Sequence, residues 1–466
     1  MTEFQYNRTT ASQRQQIQAL PEAGLRRHQL NRLNELLAQI IPANQFYRDK
    51  LGGSGDAHNP LQLDDLAQLA QFPFTVKHDL INESDPTGFA KNLTFAPDAY
   101  TRFHRTSGTS GRPMVVLDTQ NDWNWWMEAW QYVLDSADLT SDDRVLMAFS
   151  FGPFIGFWSA FDAVVQRGAI VIPTGAMTSL ARLELIQSTA ASVVFCTPSY
   201  AIHLAQVAEE NGICLADHAK SVKRIVVAGE PGGSIPTTKA RIESAWAAEV
   251  IDHCGASEVG PWGFACPSGK NASGVNAGDN DTGDQGIFIN EAEFIAEFIP
   301  VGETGTVSGE GQDSAFLSST EATGQGTFEL VLTCLGRIGS PIVRYRTGDL
   351  VRPIWDHGHD CRFVKLAGGV LGRADDMMII RGVNVFPASV EQILRGFPEV
   401  VEFRTTAFKQ GAMDQLKIEV EATVDDIEPI RLALQNQLGF RVDVERVVNQ
   451  TLPRFEAKGK RFVDNR

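Results

Sequence analysis

Between residues 140 and 260 the chain alternates short apolar runs with helical stretches, and this alternation limits the fold more than any other feature. Residues 144–149, 168–172, 191–196 and 223–228 have the length and composition of buried strands. Residues 180–189 and 236–248 carry helical patterning between and after them. Strand and helix in turn is the pattern of an α/β sheet with helical crossovers. Upstream, Leu25, Leu30, Leu33, Leu36 and Leu37 recur near a helical period, so residues 11–50 read as helical. Downstream, residues 286–355 show glycine-bounded strands without long helices, such as 327–333, and predict an antiparallel β subdomain.

The pattern changes again after Gly372-Arg373-Ala374-Asp375-Asp376. Residues 387–394 read as a helix. Leu416, Ile418 and Val420 alternate with Lys417, Glu419 and Glu421 as a half-buried strand. Ile430, Ala433, Leu434 and Leu438 make one helix face that Gly439 stops, and a last strand carries Val442 and Val444. The expected fold is therefore α/β and α+β. A large N-terminal domain, residues 1–374, holds α/β sheets plus a β subdomain, and a small α+β domain, residues 375–466, follows it. A chain of 466 residues fits such a division, at roughly 150 residues per domain.

Composition sets the outer bounds. The chain is 43% apolar and 21% charged, ordinary for a globular protein. A net charge of −16 argues against a nucleic-acid partner, which calls for a basic face. Six scattered cysteines do not make a disulfide framework, and the polar N-terminus lacks a signal peptide, so a reducing cytoplasm is expected. Residues 145–161 carry no charge, but Gly152, Pro153 and Gly156 break them into a strand, a turn and a helix start rather than a membrane span.

One segment points to chemistry. Thr106-Ser107-Gly108-Thr109-Ser110-Gly111-Arg112 packs four hydroxyls and two glycines into seven residues before Pro113. Glycines let backbone N–H groups turn toward a ligand, and hydroxyls add short donors, so the stretch reads as a phosphate cradle. A Ser/Gly linker has the same composition. It lacks the Lys-Ser/Thr ending of a P-loop. Three further segments accompany it. Gly255-Ala256-Ser257-Glu258 sets a hydroxyl beside a carboxylate after a strand end. Tyr345-Arg346-Thr347-Gly348-Asp349 offers a turn with one exposed carboxylate. Glu456-Ala457-Lys458-Gly459-Lys460-Arg461 is a basic cluster near the end of an acidic chain. Taken singly, these are also a helix cap, a turn residue and solvated charge.

In this order, together with Gly229-Glu230-Pro231-Gly232-Gly233-Ser234-Ile235-Pro236, Ile380-Arg381-Gly382-Val383-Asn384-Val385-Phe386-Pro387 and Leu452-Pro453-Arg454, the motifs resemble the adenylate-forming superfamily of acyl-CoA synthetases, adenylation domains and luciferases. Within it they resemble the phenylacetate-CoA ligase-like group most. The resemblance covers the chain from about residue 30 onward. It implies an enzyme that joins a carboxylic acid to ATP, then passes the acyl group from the adenylate to coenzyme A. It implies Lys458 as the cation bridging carboxylate and α-phosphate, favoured by the Leu-Pro-Arg register over the neighbouring alternative Lys460, and Glu258 as a magnesium ligand. Ser257 would meet the α-phosphate, and Thr106 to Gly111, with Arg112, the β- and γ-phosphates. Gly229, Glu230 and Pro231 would lie along adenine, Asp349 would hold the ribose, and Arg373 would reach ribose or phosphate. Asp375 matches the hinge acid about which the small domain swings.

Some relatives carry zinc. Here Cys266, His359 and Cys361 would be the ligands, Phe288 occupies the expected histidine position, and His357 or Cys254 would have to complete the set. Phe151, Phe154, Phe157, Trp158 and Trp262 offer aromatic walls that suit an aryl or arylacetic acid, and aromatic core residues would look the same. The implied requirements are ATP, Mg2+, coenzyme A and a small-molecule carboxylic acid. No membrane partner is expected, and a homodimer is left open. A carrier-protein or deazaflavin acceptor, or a non-catalytic nucleotide-binding relative, are the alternatives on the same fold.

Overall fold

A computed structural model describes residues 9–52, 61–82, 86–106, 113–149, 152–265, 286–301, 326–355, 359–376, 378–380, 383–410, 413–454 and 461–466. The alternation of residues 140–260 becomes five parallel strands in the spatial order Ile170–Pro173, Arg144–Met147, Val193–Cys196, Arg224–Val227 and Glu249–Ala256. Successive side chains serve opposite faces, as a pleated strand demands. Val145, Met147, Val193 and Phe195 enter one core, under the helices Gln120–Ser136 and Ile155–Arg167. Leu146, Val194 and Cys196 enter a second core, under Ser179–Thr189, Pro198–Glu210 and Pro236–Trp246. Both faces are covered, which is why these strands read as continuous apolar runs. Among the described residues no helix is long and apolar enough to cross a membrane.

Two expectations are corrected here. Residues 286–355 do not form one separate β subdomain. Gly286–Ile289 and Pro353–Ile354, with Lys365–Ala367, extend the large sheet to nine strands through antiparallel pairing with Gly260–Ala265. The strands that do stand apart are Phe294–Pro300, Phe328–Cys334, Tyr345–Val351 and Gly372–Arg373, in one four-stranded antiparallel sheet. Glycine boundaries locate strands but do not say which sheet edge they join. The second correction concerns residues 345–349, read as a turn with an exposed carboxylate. They lie within the strand Tyr345–Val351, and the Asp349 side chain is only 15% exposed. Gly348 takes a left-handed φ of +76° next to a register irregularity in the pairing with Phe328–Cys334, so the strand accommodates a glycine that looks like a turn signal. The Gly/Ser/Thr-rich stretch 303–326, which reads as a surface loop, lies outside the described residues except for Gly326.

The C-terminal domain has a core of its own, drawn from Met378, Ile380, Val390, Phe403, Ile418, Leu434 and Val444 among others. Its sheet runs Asp443–Val447, Met413–Ala422, Val400–Gln410 and Phe462–Asn465. The helices Pro387–Arg395 and Glu428–Leu438 and the strand pair Met378–Ile380 and Val383–Val385 add to that core.

Candidate active site

The large sheet switches from parallel to antiparallel pairing at Glu249–Ala256. The next strand, Gly260–Ala265, returns through residues 257–259, so Ser257 and Glu258 occupy the tip of a tight hairpin. The Val259 amide donates to the Ala256 carbonyl at 3.1 Å. Gly260 has φ +136°, and a Cβ there would stand 2.9 Å from the Trp125 ring and 3.0 Å from Phe294, so only glycine lets the hairpin seat this closely. This tip lies at the carboxyl end of the parallel strands, the edge where open α/β sheets bind their ligands.

Glu258 is met by groups from two distant segments. The phenol of Tyr345 donates to its Oε1 at 2.9 Å. Burial, and then the Glu258 charge, pushes the Tyr345 phenol well above its usual range, so it stays a donor. Lys77 Nζ stands 4.0 Å from the same oxygen, with the carboxylate side chain 13% exposed. Sequence reading gave Lys77 no role. It is delivered by Thr75, whose amide donates to the Arg344 carbonyl at 2.8 Å and whose carbonyl accepts from Arg346 at 2.9 Å. No motif around Lys77 announces that bridge.

Asp349 and Arg373 face one another across an antiparallel pair, with Arg373 Nη1 3.3 Å from Asp349 Oδ1. The two residues implied for ribose and phosphate are thus neighbours. Of the cradle, Ser107 to Arg112 lie outside the described residues. Thr106 is buried, and its role at the base of the loop is visible. Its amide donates to the Met114 carbonyl at 3.0 Å and its hydroxyl accepts from the Met114 amide at 2.9 Å. The strands Arg102–Arg105 and Val115–Asp118 pair antiparallel below it.

Gly229, Glu230 and Pro231 follow the strand Arg224–Val227, and Gly229 takes φ +92°. The Glu230 carboxylate accepts from the Ser199 amide at 2.8 Å and lies 3.8 Å from Arg461 of the C-terminal domain. Its side chain is therefore engaged by protein. Lys458 lies outside the described residues, as does Lys460. Arg461 is not solvated charge: it is buried, with Nε 2.6 Å from Glu402 Oε1 and Nη1 3.9 Å from Glu391. Asp375 falls in the short 3-10 turn Ala374–Asp376, directly after the strand that carries Arg373.

The aromatic candidates separate into different places. Phe154 and Trp158 are 42% and 40% exposed at the start of the helix Ile155–Arg167. The Phe157 ring stacks on Phe149 at 4.1 Å. Trp262 is 1% exposed and belongs to the main core, so it is a packing residue in this arrangement. Phe151 lies outside the described residues. Of the zinc candidates, so do Cys266 and His357. His359 Nδ1 accepts the Cys361 amide at 3.0 Å, and its ring packs on Phe288 at 5.1 Å. Burial raises the Cys254 thiol well above its usual range. Among the described residues no group of three or more His, Cys, Asp or Glu could hold a metal ion.

Comparison with known proteins follows the same outline. Residues 59–294 match the AMP-binding enzyme model, and residues 382–466 match the AMP-binding enzyme C-terminal domain. The phenylacetate-coenzyme A ligase of Pseudomonas putida is 30% identical over 455 residues, 95% of this chain and 94% of that protein. The structure of 2-hydroxyisobutyryl-CoA ligase in the postadenylation state superposes with a TM-score of 0.82 at 24% identity, covering 99% of this chain and 94% of that one. The same ligase in the thioesterification state, with 2-HIB-AMP and CoA, superposes with a TM-score of 0.66 at 24% identity, covering 98% and 94%. The chain belongs to the AMP-binding enzyme family, in its phenylacetate-CoA ligase group.

Proposed function

We propose that this AMP-forming acid–CoA ligase activates an aromatic or arylacetic acid. A carboxylate oxygen attacks the α-phosphorus of ATP, the bond to the β-phosphate breaks, and pyrophosphate leaves. The coenzyme A sulfur then attacks the acyl carbon, the bond to AMP breaks, and the thiol proton passes to solvent. The observation that carries the reading is the meeting of Glu258, Tyr345 and Lys77 at the carboxyl edge of the sheet. It sets a neutral donor and a cation within 4.0 Å of one carboxylate oxygen, and reacting anions need fixed partners of these kinds.

The donor chemistry fits magnesium. Glu258 is a hard oxygen ligand, and such a cation takes one or two carboxylates and fills its shell with water and phosphate oxygens. Bound there, Mg2+ would neutralise charge on the phosphates. Ser257 would donate to the α-phosphate, and Thr106 through Arg112 would hold the β- and γ-phosphates. Asp349 would accept from the ribose hydroxyls beside Arg373. Gly229 and Pro231 would offer backbone to adenine, while Glu230 acts through its protein contacts. Lys458 would bridge the carboxylate and the α-phosphate. Phe151, Phe154, Phe157 and Trp158 would shape the acyl pocket. A zinc ion on Cys266, His359 and Cys361 is supported only by the closeness of the last two, and elemental analysis of the purified protein tests it.

Residues 1–374 and 375–466 are the two bodies of this reading, with Asp375 as the hinge between half-reactions. Asp375→Pro should leave pyrophosphate release near wild type and slow thioester formation; equal loss of both would remove the hinge. The main test is pyrophosphate release with ATP and Mg2+ over a panel of aromatic, arylacetic and aliphatic acids, with and without coenzyme A. Release that depends on an aryl acid, with thioester only when coenzyme A is present, supports the reading. Release without thioester moves the acceptor to a carrier protein or a cofactor.

A further inference from the structure

We infer that the buried pair Asp118–Arg337 is a positioning device for the adenylation step, fixing the Glu258 hairpin relative to the strand Val115–Asp118. The inference rests on the reading of Glu258 as the metal-binding carboxylate. Arg337 lies in the connection between the strands Phe328–Cys334 and Tyr345–Val351. Its Nε donates to Asp118 Oδ1 at 2.8 Å, and Nη2 stands 2.8 Å from the same oxygen. Nη1 points the other way and donates to the backbone carbonyl of Glu258 at 2.5 Å. One planar guanidinium thus joins two elements, which its fork geometry allows and a lysine ammonium does not.

The two elements are the ones that would face the phosphates. Asp118 ends the strand Val115–Asp118, which follows residues 106–112 in the chain. Glu258 sits at the hairpin tip. A second contact from the same region holds that tip: the Cys334 thiol donates to the Val259 carbonyl at 3.0 Å. On the far side, Asp122 Oδ1 accepts from the Ile338 and Gly339 amides at 2.8 and 2.9 Å, tying the segment of Arg337 to the helix Gln120–Ser136. The Trp126 indole donates to Asp118 Oδ1 at 3.2 Å.

Stability alone does not account for the pair. Both side chains are 0–1% exposed, and Asp118 Oδ2 is buried with no hydrogen-bond partner among the described residues. A buried, incompletely satisfied ion pair is commonly matched or bettered by apolar residues of similar volume. Apolar residues would reproduce neither the acceptor for the Trp126 indole nor the contact to Glu258, and only the second of these reaches the hairpin. Asp118 and Arg337 touch no reacting atom in this arrangement; they act through the backbone that carries the metal carboxylate.

The test uses the full-length enzyme. Mn2+ binding in the presence of ATP, without acid, is read by electron paramagnetic resonance, alongside the Mg2+ dependence of pyrophosphate release. The double variant Asp118→Leu/Arg337→Met removes the pair without leaving a lone charge. Metal affinity should fall about 10–100-fold, the range typical for losing a group that orients a ligand, while thioester formation from supplied acyl-adenylate stays near wild type. A folded double variant with unchanged Mn2+ affinity and Mg2+ dependence overturns the inference. If the double variant does not fold, Arg337→Lys decides: it keeps a charge for Asp118 and loses the reach to Glu258, so the metal response should shift in the same direction, and an unchanged response overturns the inference. Glu258→Gln separates the two levels. If it leaves metal binding intact, the metal role of Glu258 fails; if it abolishes binding while the pair variants do not affect it, only the positioning inference fails.

Discussion

Tyr345 donates its phenol hydrogen to Oε1 of Glu258 at 2.9 Å, joining the first residue of one sheet's strand to the hairpin tip of another. The bond holds the carboxylate in one orientation without supplying charge. Tyr345→Phe removes the donor and little else. It should raise the Mg2+ concentration that half-saturates pyrophosphate release by on the order of 10-fold. Release should recover at high Mg2+, because the carboxylate itself is kept. An unaltered Mg2+ curve would show that the phenol does not orient Glu258.

In the function proposed above, Lys458 would meet the developing charge at the α-phosphate. Lys458→Ala should lower acid-dependent pyrophosphate release by about 10²–10³, the scale for losing one preorganised charge-stabilising group. Calorimetric binding of ATP should persist, since the phosphates keep their other partners. A variant that releases pyrophosphate at the normal rate would transfer the role elsewhere, with Lys460 as the next residue to change.

Arg461 is enclosed by carboxylates from both domains: Glu402 and Glu391 beside it, and Glu230 across at 3.8 Å. Arg461→Met would leave Glu402 buried without its main partner. Breaking a buried pair from one side costs about 3–5 kcal/mol, so thermal unfolding should shift clearly downward. Glu230→Gln, at a contact of 3.8 Å rather than 2.6 Å, should change the unfolding temperature far less. Equal shifts in the two variants would mean that the contact across the domains matters as much as the one within.

His253 is buried, donates from Nδ1 to the Gly263 carbonyl at 2.7 Å, and packs against Trp130 at 4.3 Å. Burial lowers its pKa to about 4. The unfolded ring titrates near 6.5. The unfolded chain therefore binds the proton first as pH falls. The stability tied to a neutral His253 is complete above pH 6.5 and is lost as pH drops toward 4, by about 3 kcal/mol in all. Its neighbour Asp252, raised by burial to about 6, has the opposite sign: its contribution is present at low pH and lost as pH rises through 6. Urea unfolding of wild type and His253→Asn at pH 7 and pH 5 isolates the histidine. The difference between the two proteins should shrink at pH 5, and an NMR titration of the ring should show a midpoint near 4. A midpoint near 6.5 would contradict the burial argument.

The secondary structure of the parallel sheet was legible because strands buried on both faces must be apolar throughout. Residues 144–149 and 191–196 accordingly became Arg144–Met147 and Val193–Cys196. The order of the motifs was equally legible, since a hydroxyl–glycine loop, a Ser-Glu pair and a late basic cluster are local chemistry. Tyr345 to Asp349 read poorly, because a glycine in a strand carries the same local signal as a glycine in a turn.

What the sequence determined by itself was the alternation that forces a covered α/β sheet, and the residue types that suit phosphate, metal and carboxylate. What the tertiary structure decided was adjacency. Lys77 reaches Glu258 because Thr75 bridges to the strand of Tyr345. Arg337 reaches the Glu258 carbonyl because Asp118 anchors it from the strand Val115–Asp118. These contacts join segments far apart in the chain. Their energies depend on burial and distance, which arise only when the sheets pack, so no local pattern of residues encodes them.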